Sequence, residues 1–155
     1  MVRKDILQSS FYLSIVCYNH IMFIYKTQIK LHDTDAAGIL FFGKQFFFVH
    51  DAYEKYLEKI GYGFSNLIKN KKYFLPIVHA ESSYKNPLYV GDEITVKVKL
   101  THIGTTSITF EYEITNKKGI LVGTAKTVHV TINKMTRKKI PLPTAFRAAL
   151  EKIYG

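Results

Sequence analysis

The run His32-Asp33-Thr34-Asp35-Ala36-Ala37-Gly38 leads through Ile39-Leu40-Phe41-Phe42-Gly43 into a helical pattern. Asp35 stands seven residues before Phe42, where that helix is predicted to begin. A helix start offers unpaired N–H groups and the positive end of the dipole. A carboxylate held beside such donors can attack a carbonyl carbon, or activate water to do so. The donors then take up the negative charge that develops on the carbonyl oxygen. Gly38 lets the chain turn between the acid and the helix, and Asp33 reads as a second turn residue. Other hydrolytic chemistries lack their residues. The six histidines show no H-x-x-x-H or H-E-x-x-H spacing, and there is no G-x-S-x-G elbow and no P-loop. A single cysteine, Cys17, excludes an internal disulfide and any Cys-based zinc site. Neither a metal nor a cofactor is expected.

The elements around this run can be read from periodicity. Tyr25 to His32 alternates Tyr25, Thr27, Ile29 and Leu31 against Lys26, Gln28, Lys30 and His32, which predicts a half-buried strand. From Gly43 the period changes. Phe42, Phe46, Val49, Tyr53, Tyr56 and Ile60 form one helical stripe, widened by Phe47, Phe48, Ala52 and Leu57, so a largely buried helix is predicted over 43–60 with Gly61 as its stop. A short helical turn is expected near Phe64 to Ile68. The rest reads as β: Tyr73 to Lys85, Glu93 to Ile103, Thr106 to Thr115 and Ile120 to Asn133, with a hairpin loop at Asn116-Lys117-Lys118-Gly119. After Pro141 and Pro143, Thr144 to Tyr154 reads as a helix. One long helix followed by antiparallel strands is an α+β order, with a sheet curled around the helix.

The chain has 155 residues, enough for one domain with one core. Its net charge of +10 is carried almost wholly by lysine, with arginine only at Arg3, Arg137 and Arg147. Local clusters occur at Lys69-Asn70-Lys71-Lys72 and Arg137-Lys138-Lys139. Without a stacking or helix-turn-helix motif this charge reads as a solvated surface, with some attraction for an anionic ligand. No nucleic-acid or membrane partner is expected. Residues 1–21 are read as an N-terminal extension, from an upstream start codon or as a poorly ordered tail. Their apolar part is interrupted by Asn19 and His20, and no cleavage site follows. The domain is then 22–155, expected in the cytoplasm.

Asp-Thr-Asp-Ala-Ala-Gly-Ile, the helical His50-Asp51-Ala52-Tyr53-Glu54, and Leu75-Pro76-Ile77-Val78-His79-Ala80-Glu81 with the later Gly91-Asp92 carry a resemblance. The chain resembles hotdog-fold thioesterases of the 4-hydroxybenzoyl-CoA class, and within it the 1,4-dihydroxy-2-naphthoyl-CoA thioesterases, over Tyr25 to Ile153. The resemblance implies an aromatic acyl-CoA substrate, in quinone synthesis, and a homodimer or a dimer-of-dimers tetramer. It places Asp35 on the family's catalytic aspartate, as nucleophile or general base. It assigns the oxyanion donor to the Phe42 backbone N–H, and sets His50 and His79 beside the acyl group. For coenzyme A, where the 4-hydroxybenzoyl branch has a basic run, this chain reads His102-Ile103-Gly104-Thr105-Thr106-Ser107. The hydroxyls and N–H groups of Thr105, Thr106 and Ser107 would have to serve. Two other readings stay open: a thioesterase for short acyl-CoA or acyl-carrier-protein esters, and a hotdog module that binds acyl-CoA without turnover.

Overall fold

The computed structural model describes residues 22–154, so the reading of 1–21 as an extension falls outside the described residues. The elements run β1 (Phe23–Gln28), α1 (Lys44–Lys59), α2 (Phe64–Asn70), β2 (Tyr73–Phe74), β3 (Ile77–Tyr84), β4 (Glu93–Ile103), β5 (Ser107–Asn116), β6 (Leu121–Val130), β7 (Ile132–Asn133) and α3 (Thr144–Tyr154). Five strands form an antiparallel sheet in the order β1-β4-β5-β6-β3, and β2 pairs with β7 in a small second sheet. Register shifts at Leu100/His102, Ile77/His79 and Ile114/Thr115 let the strands bend. Among the described residues no helix is long and apolar enough to cross a membrane.

The alternation of β4 and β5 works as the pattern requires. Ile94, Val96, Val98 and Leu100 on β4, with Ile108, Phe110, Tyr112 and Ile114 on β5, are all buried and turn one sheet face into a continuous apolar surface. Helix α1 covers it with Phe48, Val49, Ala52, Tyr53, Tyr56 and Leu57. Phe146 and Leu150 of α3 close the core beside Tyr62 and Tyr73. Removing a ring like Phe146, which is wholly buried, costs roughly 3–5 kcal/mol. Phe146→Ala is therefore expected to lower the denaturant midpoint sharply without changing the cooperativity of unfolding. A midpoint within error of wild type would show that α3 is not part of the cooperative core.

Four sequence expectations are corrected. The first strand spans Phe23–Gln28, and alternation fails at Leu31, which is 78% exposed in a 3₁₀ turn over Leu31–Asp33. Tyr73 to Lys85 is two strands in two sheets, because Pro76 has no N–H to continue a ladder. The final strand likewise breaks at Thr131, which hands the chain from β6 to β7. Lastly, the buried face of α1 keeps Phe48, Val49, Ala52, Tyr53, Tyr56 and Leu57 of the predicted stripe but differs from it at the N-terminal end. Phe42 and Phe47 are each 63% exposed, whereas Gln45 is buried. The spacing Gln45, Val49, Ala52, Tyr56 is a helical stripe as regular as the predicted one, but its first member is polar and drew no notice.

Candidate active site

The segment 33–41 is a small hairpin. Thr34 bridges Leu40, the Asp35 N–H donates to Ile39 O, and the Gly38 N–H donates to Asp35 O at 2.9 Å. Gly38 sits at φ +73°, the left-handed region, so the turn needs a residue without a Cβ. Asp35 at the tip is exposed, and its Oδ1 accepts the Ala37 N–H at 2.8 Å. Its Oδ2 has no partner among the described residues. The hairpin is tied to the body by Phe41 N–H to Asp33 O and by Leu40 N–H to Leu88 O.

Helix α1 begins without a side-chain cap. Gly43 is its N-cap and no acid occupies its first turn. The first helical hydrogen bonds run from Lys44 N–H to Phe41 O and from Phe46 N–H to Gly43 O. The N–H groups of Phe42 and Gly43 make no hydrogen bond among the described residues. Asp35 and Phe42 line one cleft of about 390 Å³ with Leu40, Gln45, Tyr84 and Leu88. Tyr84 donates from its hydroxyl to Phe42 O at 2.9 Å, and Gln45 donates from Nε2 to Ser82 Oγ, Ser83 O and Thr124 O. These two side chains hold the helix start against β3 and β6. Sequence reading missed both.

Asp33 is a turn residue, closing the 3₁₀ turn over Leu31–Asp33, and it does more than turn the chain. It is buried, accepts the Lys30 N–H at 2.9 Å and pairs with Lys44 Nζ at 3.1 Å. Burial alone would raise its pKa. The Lys30 N–H and the Lys44 ammonium outweigh that and hold its carboxyl below the usual carboxylate range. Lys44, a cation at the positive end of α1, would be unfavourable alone. Asp33 compensates it from outside the helix and so leaves the Phe42 and Gly43 amides uncapped. Asp33→Ala is expected to cost on the order of 2 kcal/mol of stability, because it orphans a partly buried charge and an N–H. The loss should shrink as pH falls through the depressed native pKa. Urea titrations at neutral and strongly acid pH measure both effects.

The other sequence candidates lie elsewhere. His50 borders an apolar pocket of about 340 Å³ with Phe46, Phe47, Val49, Ile77 and Ala80, and its Nε2 is 3.2 Å from Glu54 Oε1. His79 is exposed on β3, 3.1 Å from Glu81 Oε2, and is not among the residues lining that pocket. Thr105 and Thr106 form the β4–β5 hairpin with Gly104, and Ser107 opens β5. That hairpin is a full β4 length, about 35 Å, from the end of the sheet where Asp35 sits.

A family model for the thioesterase-like superfamily matches residues 29–150. The chain belongs to that superfamily. It is 38% identical over 124 residues to a 1,4-dihydroxy-2-naphthoyl-CoA hydrolase of Rippkaea orientalis, covering 76% of this chain and 87% of that protein. Its identity to a Synechocystis protein of the same name is 33%, over 83% and 94% of the two chains. The crystal structure of a Synechocystis 1,4-dihydroxy-2-naphthoyl-CoA thioesterase superposes with a TM-score of 0.78 at 33% identity, covering 83% of this chain and 95% of that one. The antiparallel sheet with one long helix against it is thus the hotdog fold of these thioesterases.

Proposed function

We propose that this thioesterase-like chain hydrolyses an aromatic acyl-CoA, with 1,4-dihydroxy-2-naphthoyl-CoA as the substrate its named relatives point to. The observation that carries the reading is one cleft lined both by a carboxylate with a free oxygen and by a residue whose backbone N–H is unpaired. Asp35 Oδ2 attacks the thioester carbon, or takes a proton from the water that does. The Phe42 N–H receives the oxyanion. Collapse of the tetrahedral adduct expels coenzyme A as thiolate; on the nucleophilic route water then cleaves the acyl–Asp35 anhydride and releases the acid, whereas on the general-base route the acid forms directly. The apolar pocket lined by His50 suits an aromatic ring, with His50 as the partner of a ring hydroxyl. Thiol release from naphthoyl, benzoyl and short aliphatic CoA esters tests the substrate. The aromatic esters should be turned over faster, and hydrolysis of aliphatic esters alone would refute the aromatic assignment.

The site is read as complete only in a dimer. Strand β3 is a sheet edge whose side chains are all exposed except Ser82, and such an edge needs covering. Two-fold antiparallel pairing of two β3 edges sets Ile77 of one copy beside the Tyr84 end of the other. The Asp35 cleft, next to Tyr84, then faces the second copy's His50 pocket, next to Ile77. Sedimentation at micromolar concentration is expected to give a dimer or a tetramer. A stable, fully active monomer would overturn this arrangement.

A further inference from the structure

Two basic runs far apart in sequence meet on the surface away from the cleft. The β2–β7 ladder pairs Tyr73 with Asn133 and Phe74 with Ile132, and the Lys134 N–H donates to Lys72 O at 3.0 Å. The turn then folds back, with the Asn133 N–H donating to Lys138 O and Ile132 bridging Lys139. Lys69, Lys71, Lys72, Lys134, Arg137, Lys138 and Lys139 are thereby gathered in one region. No Asp or Glu occurs from residue 60 to 80 or from 114 to 150. Among the described residues no ion pair reaches Lys69, Lys72, Lys138 or Lys139, all of them exposed.

Apolar side chains stand among these cations. Met135, at the tip of the turn, is 90% exposed, and Ile68 beside Lys69 is 61% exposed. The two belong to one patch, since Lys134 Nζ donates to Leu67 O at 2.9 Å and to Ile68 O at 2.6 Å. The turn is well fixed. Asn133 Oδ1 accepts the N–H groups of Met135 and Thr136, and Arg137 is held at φ +59°. An exposed thioether and an aliphatic chain ringed by lysines match the surface of an anionic bilayer: cations for lipid phosphates, short apolar groups for the boundary beneath.

Nucleic acid fits less well. Single strands are held by aromatic faces on which bases stack. Here the Phe74 ring is already covered by Lys134 and Arg137, and the Tyr62 ring by Lys71. The patch is also almost all lysine, a point charge without the bidentate fork used for base edges.

We propose that the surface formed by Lys69, Lys72, Met135, Lys138 and Lys139 docks the protein reversibly on anionic lipid. This holds whatever ester the cleft hydrolyses. The proposal departs from the sequence expectation of no membrane partner, because the fold brings the two basic runs together. The full chain should co-sediment with phosphatidylcholine vesicles containing phosphatidylglycerol, not with pure phosphatidylcholine, and the binding should weaken with salt. Lys138→Ala/Lys139→Ala should weaken vesicle binding by about 25-fold, near fivefold per charge, and Met135→Asp should weaken it too. Hydrolysis of soluble acyl-CoA should be unchanged in both. No vesicle binding at low salt, or equal binding by the variants, would overturn the proposal. So would binding of single-stranded RNA without binding of vesicles. A raised KM for acyl-CoA in the double lysine variant would instead assign these lysines to the phosphates of coenzyme A, and would also overturn it.

Discussion

Asp35→Asn is expected to fold and bind acyl-CoA while its hydrolysis falls by about 10²–10⁴, or roughly 3–5 kcal/mol of barrier. The substitution is nearly isosteric. Asn keeps an oxygen to accept the Ala37 N–H, so the hairpin should hold its shape. It loses the carboxylate oxygen that attacks carbon or takes a proton from water. Exposure of Asp35 means that little stability rests on it, so kcat should fall while KM and the unfolding midpoint barely move. Asp33→Asn separates position from chemistry. Its side chain can still accept the Lys30 N–H, but it gives up the charge opposite Lys44. That variant should lose stability first and activity only in proportion to a loosened hairpin. Equal hydrolysis by wild type and Asp35→Asn would remove the catalytic assignment, and binding without hydrolysis by either would favour a module that binds acyl-CoA without turnover. In single-turnover hydrolysis in ¹⁸O-labelled water, a first product acid free of ¹⁸O with the label in the Asp35 carboxyl identifies a nucleophile whose anhydride is opened at the Asp35 carbon. Label in the product at once, with none in Asp35, is the result for a general base or for water attack on the acyl carbon of the anhydride.

What the sequence displayed and what it hid have separate physical causes. The strands β4 and β5 and the helix α3 were legible to within a residue, because each has one apolar face of regular period and a turn signal near it, Gly104 after β4, the Asn116–Gly119 loop after β5 and Pro143 before α3. The breaks at Pro76 and Thr131 were less so. Each lies inside a run of good strand formers, and it is the second sheet, a tertiary feature, that decides where the ladder stops. Asp35, Gly38 and the helix start could be placed together because they are local: twelve residues set the whole arrangement. Asp33 looked like its neighbour Asp35, since residue type and spacing do not say which carboxylate turns inward. The structure separates them by burial, one carboxylate under Lys44 and the other on the tip. Gln45 and His129 were missed for a related reason. Each is a polar residue in a buried position, and only the partners contributed by distant strands make burial affordable.

His129 leads to the second large effect, on stability rather than turnover. It is 1% exposed on β6, stacked against Tyr53 with ring centroids 4.2 Å apart and edge-on to Phe110. Its Nδ1 faces Leu75 O, so the N–H is there and Nε2 is left to accept from Thr127 Oγ1 at 2.9 Å. Thr127 in turn accepts from the Tyr112 hydroxyl at 3.0 Å. A neutral imidazole satisfies every donor in this chain of three, whereas a proton on Nε2 would turn the Thr127 hydroxyl toward Tyr112 and leave the Tyr112 O–H without an acceptor. Burial, with a smaller contribution from the charge of His50, pushes the His129 pKa down to about 4, while the Leu75 carbonyl opposes the shift. The unfolded chain, with an ordinary histidine pKa near 6.5, therefore binds a proton between pH 6.5 and 4 that the folded chain refuses. Stability supplied by this site is fully present above pH 6.5 and is lost progressively toward pH 4. Between pH 7 and 5 the loss should be about 2 kcal/mol. His129→Phe keeps the ring packing but cannot titrate. It strands the Thr127 hydroxyl and should be less stable than wild type at pH 7, with a flatter dependence on pH down to 5. Urea unfolding of both proteins across that range reads the difference in slope, and parallel curves would mean that the buried imidazole takes up its proton without opening the core.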